Sequence, residues 1–75
     1  MPHIIVKLWP GKSEKQKASL VERIVKDGMD VLGYGEESFS VAIEEIAPDD
    51  WAEQVYKSDI IENCHKLYKE PGYQM

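Results

Sequence analysis

Two β-branched stretches flank one long amphipathic stretch, and this order constrains the fold more than any other feature of the chain. Residues 3–9 are rich in Ile and Val and almost continuously apolar, which suits a strand inside a sheet better than one at its edge. Trp9-Pro10-Gly11-Lys12 has turn chemistry and ends that strand. Ser13 stands three residues before Gln16, a capping-box pattern that opens a helix. The apolar positions that follow are Ala18, Val21, Ile24, Val25, Gly28, Met29 and Leu32, a stripe at i, i+3, i+4 spacing. The helix is therefore predicted over Glu14–Leu32, with Lys15, Lys17, Glu22, Arg23, Lys26 and Asp27 on its polar face. Gly28 lies inside the stripe, where a missing side chain permits close packing on a sheet. Gly33 and Gly35 end the helix.

Residues 38–46 alternate as a second strand, with Phe39, Val41 and Ile43 on one face and Ser40, Ala42 and Glu44 on the other. Strand, long crossover helix and strand make a right-handed β-α-β unit with parallel strands. After Pro48-Asp49-Asp50 a second helical region is predicted from Trp51 to about Lys69, with a break and a new cap near Ser58-Asp59 where the apolar spacing slips. Glu70-Pro71-Gly72 ends it. The fold class is α/β (α+β), in a single domain spanning 1–75.

A two-stranded parallel sheet with its helices is not stable alone. A chain of 75 residues has a small core and needs a further staple. Cys64 is the only cysteine, so no disulfide is available, and no Cys, His and carboxylate cluster has metal-ligand spacing. No metal or cofactor is expected. Association remains, and a homodimer whose two sheets join across a twofold axis is expected. Net charge is −5 without a basic stripe, which disfavours a nucleic-acid partner and a membrane surface. One cysteine and no long apolar run fit a reducing, cytoplasmic setting.

The chain opens Met1-Pro2. A proline there favours removal of the methionine, and Pro2 then carries a free secondary amine. Other proline nitrogens are amides without usable basicity; this one can act as both base and acid. The apolar stretch that follows ties it to a sheet rather than leaving it on a loose tail.

With these residues in view, the opening resembles the 4-oxalocrotonate tautomerase family, whose members begin with a catalytic proline and carry Gly-Arg-Ser-x-x-Gln-Lys where the first helix starts. Here that segment reads Gly11-Lys12-Ser13-Glu14-Lys15-Gln16-Lys17, and Ser38–Ile46 resembles the family's second strand in pattern and in distance from Pro2. The resemblance runs from residue 2 to about residue 51. The tail, with Pro48, Trp51 and Lys69-Glu70-Pro71-Gly72-Tyr73, is similar to a dimeric subgroup that acts on phenylpyruvate-type enols.

The resemblance implies a keto–enol tautomerase in which Pro2 is the catalytic base and acid, with Lys12, Ser40 and Trp51 binding the enol of a 2-oxo acid. Lys12 falls where hexameric members have a carboxylate-binding arginine, Ser40 where they have a second arginine, and Trp51 where they have an aromatic pocket residue. Lysine keeps the charge but loses the planar fork of arginine, and serine removes a charge outright. Monoacids with an apolar body are favoured over diacids. The same scaffold carries decarboxylases and dehalogenases, which depend on arginine; here the sole arginine is Arg23, on the polar face of the helix. A non-enzymatic dimeric binding module is the other alternative. His3 is read as a surface or interface histidine, because strand alternation turns it away from the Pro2 side chain.

Overall fold

The computed structural model describes residues 1–75, which separate into two compact units, Met1–Glu45 and Ile46–Met75. In the first unit, β1 (His3–Leu8) pairs in parallel with β2 (Ser40–Glu45), and α1 (Glu14–Leu32) is the crossover between them. The register sets His3 opposite Ser40, Ile5 opposite Ala42 and Lys7 opposite Glu44 on one face. Ile4 opposite Val41 and Val6 opposite Ile43 share the other, half-buried face. This is the predicted β-α-β unit. In the single chain β1 has β2 on one side only, although its composition suits an interior strand. Both strands are slightly shorter than predicted. Glu36–Ser38 closes a 3₁₀ turn through hydrogen bonds from Ser38 N to Gly35 O and from Phe39 N to Glu36 O, each 3.1 Å, so β2 starts only at Ser40.

Helix α1 has the predicted bounds because both its ends are chemically specified. Ser13 Oγ accepts the Gln16 N–H at 3.1 Å, and Gln16 Oε1 accepts the Ser13 N–H at 3.0 Å. Two N–H groups that the first turn cannot satisfy internally are thereby paired. At the other end Gly33, at φ 77°, donates its N–H to Met29 O at 3.0 Å. The half-buried positions are Lys17, Val21, Ile24, Val25 and Gly28, a narrower stripe than the sequence indicates; Leu32 is 56% exposed.

Lys17 is a correction. Its side chain is not on the solvated face but lies toward β2, with Nζ 2.8 Å from Glu14 and 3.5 Å from Glu45. Its apolar stem covers the sheet end while the ammonium reaches two carboxylates. The hydrogen bond to Glu14, helped by the charges of Glu14 and Glu45, raises its pKa further above the ordinary lysine value.

At Gly28 the helix α1 lies against the Phe39 ring, just before β2. A Cβ there would meet the Phe39 ring, with Cζ at 2.8 Å and Cε1 closer still. The ring also packs edge-on against Tyr34, with centroids 6.4 Å apart.

The second unit begins with α2 (Pro48–Trp51), with Pro48 in the first turn, where its missing N–H costs nothing. The helix thus starts three residues earlier than predicted. It then widens into a π-helical segment, Ala52–Ile61. The break predicted at Ser58-Asp59 does not occur. Trp51, Val55, Ile60 and Cys64 are spaced four, five and four residues apart. That spacing is too wide for a 3.6-residue stripe and is absorbed by the looser i→i+5 turn. Ser58 Oγ donates to Gln54 O at 2.7 Å, and Asn63 Nδ2 donates to Ser58 O at 3.0 Å. These bonds add side-chain donors to the Gln54 and Ser58 carbonyls. The regular helix predicted to Lys69 ends at Ile61, followed by one 3₁₀ turn, Cys64–Lys66.

Ile46, at 8% exposure, and Val55, at 5%, are the only buried hydrophobic side chains. Ile5 is 50% exposed and Trp9 53%.

Two stability measurements follow from these contacts. Ser13→Ala should cost about 1 kcal/mol, the usual effect of removing an N-cap oxygen. Gly28→Val should destabilise by about 2 kcal/mol, because displacing Phe39 outweighs the helix-propensity gain of roughly 0.5 kcal/mol. Thermal unfolding at matched protein concentration reads both.

Candidate active site

Pro2 immediately precedes β1 and is half-buried. Its carbonyl accepts the Ser40 N–H at 3.3 Å, which extends the parallel ladder one residue beyond the strand. The residue is therefore tied to the sheet, as its sequence context predicts. Met1, by contrast, is 92% exposed. While Met1 is attached, the Pro2 nitrogen is an amide. Once freed, it is a secondary amine held in a pyrrolidine ring at the end of a hydrogen-bonded ladder.

Ser40 stands beside Pro2 as the first residue of β2. Its hydroxyl is engaged: Oγ lies 2.6 Å from His3 Nδ1. Both side chains are exposed, on the sheet face away from α1. His3 is exposed, as its reading as a surface or interface histidine has it, but its bond to Ser40 is not legible in the local sequence. The signal that finds it is the register, since a His and a Ser directly opposite each other on parallel strands are within hydrogen-bond reach.

Lys12 lies beyond the other end of β1. The chain reaches it through Gly11 at φ 122°, a backbone conformation that side-chain-bearing residues rarely adopt. Lys12 is exposed and lines an open groove of about 560 Å³ with Leu8, Trp9, Gln16 and Leu20. Six strand residues separate it from the Pro2 end, or about 20 Å of extended chain. One chain therefore brings Pro2, His3 and Ser40 together and leaves Lys12 apart.

Trp51 belongs to the second unit, at the junction of α2 and the π-helical segment, and is half-buried. Its indole Nε1–H donates to the Tyr73 hydroxyl at 3.0 Å, and the Tyr73 ring rests on Tyr56 with centroids 5.7 Å apart. The tail thus folds back on the helix and holds the indole. Tyr73 was read from sequence only as part of the ending; its partnership spans 22 residues and has no local signature.

No three His, Cys, Asp or Glu side chains come together in a way that could hold a metal ion. No helix is long and apolar enough to cross a membrane. The groups at the sheet end offer hydrogen bonding by an imidazole and a hydroxyl, and, with Met1 removed, would add an amine.

Comparison with known proteins gives the family. Over 97% of its length the chain is 45% identical to a probable tautomerase of Xylella fastidiosa, covering 89% of that protein. Over its full length it is 34% identical to the tautomerase PptA of Cronobacter sakazakii, covering all of it. The crystal structure of YwhB, a homologue of 4-oxalocrotonate tautomerase, superposes with a TM-score of 0.66 at 33% identity, over 72% of this chain and 88% of that one. TomN, a 4-oxalocrotonate tautomerase homologue of the tomaymycin biosynthetic pathway, gives a TM-score of 0.65 at 34% identity, over 67% and 77%. The sequence profile of the tautomerase enzymes matches residues 2–59, starting at the proline itself, and the chain belongs to the tautomerase family of isomerases.

Proposed function

We propose that this protein is a keto–enol tautomerase that uses Pro2, exposed by removal of Met1, as general base and acid on enols of 2-oxo acids such as phenylpyruvate. The observation that carries the proposal is the anchoring of Pro2 by its carbonyl bond to Ser40, at the residue where the family match begins. Relatives named tautomerase PptA, matched along all or nearly all of the chain, support the tautomerase activity; the substrate class rests on the resemblance of the tail to the dimeric subgroup.

Ketonisation of such an enol moves one proton. The neutral Pro2 nitrogen takes it from the enol hydroxyl, the electron pair collapses to a carbonyl, and the adjacent carbon receives a proton from the prolyl ammonium. One group serves both steps when its neutral and charged forms are both populated near working pH. Apolar surroundings favour the neutral amine, and Ile4 shares the half-buried sheet face with Pro2. Lys12 supplies a cation for the substrate carboxylate.

Because Pro2 and Lys12 lie at opposite ends of β1, the site is completed by a second copy. Joining two β1 edges antiparallel across a twofold axis sets the Pro2 end of one chain beside the Lys12 end of the other. The same union covers apolar surface that the single chain leaves open, such as Trp9. In this reading residues 1–75 form one tautomerase domain, a homodimer working in the cytoplasm.

Pro2→Ala should lower kcat/KM for enol phenylpyruvate by at least about 100-fold, the low end of general acid–base effects. A form retaining Met1 should be equally inactive, because its Pro2 nitrogen is an amide. Ultraviolet decay of the enol, with mass spectrometry of the N-terminus, measures both, and undiminished turnover by Pro2→Ala rejects the proposal. Lys12→Ala should raise KM about tenfold with a smaller change in kcat, as loss of a charge-assisted contact to the carboxylate predicts. Sedimentation should show a dimer.

A further inference from the structure

We infer that His3 binds a substrate oxygen beside Pro2 and that Ser40 holds its ring for that purpose. This deepens the tautomerase reading and rests on it. The enol of a 2-oxo acid presents a carboxylate and an enol oxygen at neighbouring carbons, so proton transfer at Pro2 needs polar groups for both. Lys12 provides one, from the partner's end of the joined strands. The hydroxyl of Ser40 cannot freely provide the other, because its oxygen is 2.6 Å from His3 Nδ1. What that contact leaves over is the second ring nitrogen, Nε2, on an exposed side chain next in sequence to Pro2.

The contact also decides what Nε2 can do. If the Ser40 hydroxyl donates to Nδ1, the ring proton sits on Nε2, which becomes a donor to a carbonyl or carboxylate oxygen. An imidazolium donates from both nitrogens with the same result. The opposite arrangement, with Nδ1 donating to Ser40 Oγ, leaves Nε2 an acceptor that would compete with Pro2 for the one enol hydroxyl proton, so Ser40 is taken as the donor. With Ser40 donating, the Nε2–H pairs with a substrate oxygen, and the bond to Ser40 fixes the ring's direction. Register supplies the geometry: His3 faces Ser40 across the ladder, and the Ser40 N–H holds the Pro2 carbonyl at 3.3 Å, so all three residues meet at one sheet end, with the imidazole on the open face, the Pro2 ring on the face of Ile4 and the main-chain nitrogen at the strand's terminus between the two faces. An imidazole makes a single point contact rather than a bidentate grip, which suits a substrate with one carboxylate and an apolar body.

Two substitutions separate the ring nitrogens. Asparagine places its polar atoms where Nδ1 lies, so His3→Asn keeps the bond to Ser40 and removes the Nε2 contact. Glutamine extends to the Nε2 position. With enol phenylpyruvate, His3→Asn should lose about ten- to a hundredfold in kcat/KM, as removal of a hydrogen bond to a charged group predicts. His3→Gln should recover most of that loss. Ser40→Ala should cost several-fold in the native chain and nothing further in His3→Asn, because it acts only through the imidazole. The inference is overturned if His3→Asn stays within threefold of wild type, if His3→Gln is no better than His3→Asn, or if Ser40→Ala is equally costly in both backgrounds. These outcomes are read against a wild type that is active and a Pro2→Ala variant that is not; an inactive wild type overturns the tautomerase reading itself.

Discussion

The parallel register of β1 on β2 is the constraint on which the arrangement of the site depends. With His3 opposite Ser40, the Ser40 N–H reaches back to the Pro2 carbonyl, and the His3 ring reaches the Ser40 hydroxyl. A slip by one residue would turn every side chain to the other face of the sheet. His3 would lose Ser40, and Val41 and Ile43 would leave the face they share with Ile4 and Val6. Register in turn is held by α1, whose length, set by its capping box and its glycine end, decides where the chain returns to the sheet. The Phe39 ring seated against Gly28 and the Lys17 link to Glu45 pin β2 near its two ends.

Burial is the second constraint, and it points outward from the single chain. Two buried apolar side chains, Ile46 and Val55, are far fewer than a self-sufficient domain provides. The edge of β1 away from β2 is the one on which the proposed dimer would add a neighbour. The proposed dimer meets the packing need and the chemical need together, since the union that pairs β1 edges also brings Lys12 toward Pro2. Stability and catalysis would then share one interface, and dilution would be expected to weaken both.

Helix α2 and the π-helical segment show how a sequence pattern can be read correctly and interpreted wrongly. The spacing of Trp51, Val55, Ile60 and Cys64 does depart from 3.6 residues, as the sequence indicates. A break is the usual remedy; here the helix widens instead, with Ser58 and Asn63 taking up backbone carbonyls. Extended π-helix is rare enough that no single-sequence rule would select it. Trp51 stands where this widening begins and is fixed by Tyr73 from the far end of the chain.

Sequence alone determined the β-α-β order, the bounds of α1, the close approach at Gly28 and the place of Pro2 before a strand. These rest on local chemistry: a capping box, a glycine cap, an apolar stripe and a turn are specified by residues within a few positions of one another. Tertiary structure decided that Lys17 turns inward to Glu45, that the Ser40 hydroxyl belongs to His3, that Tyr73 holds Trp51, and that Lys12 lies a strand's length from Pro2. Each depends on which residues stand opposite one another after the chain has returned on itself, a relation that no local pattern encodes.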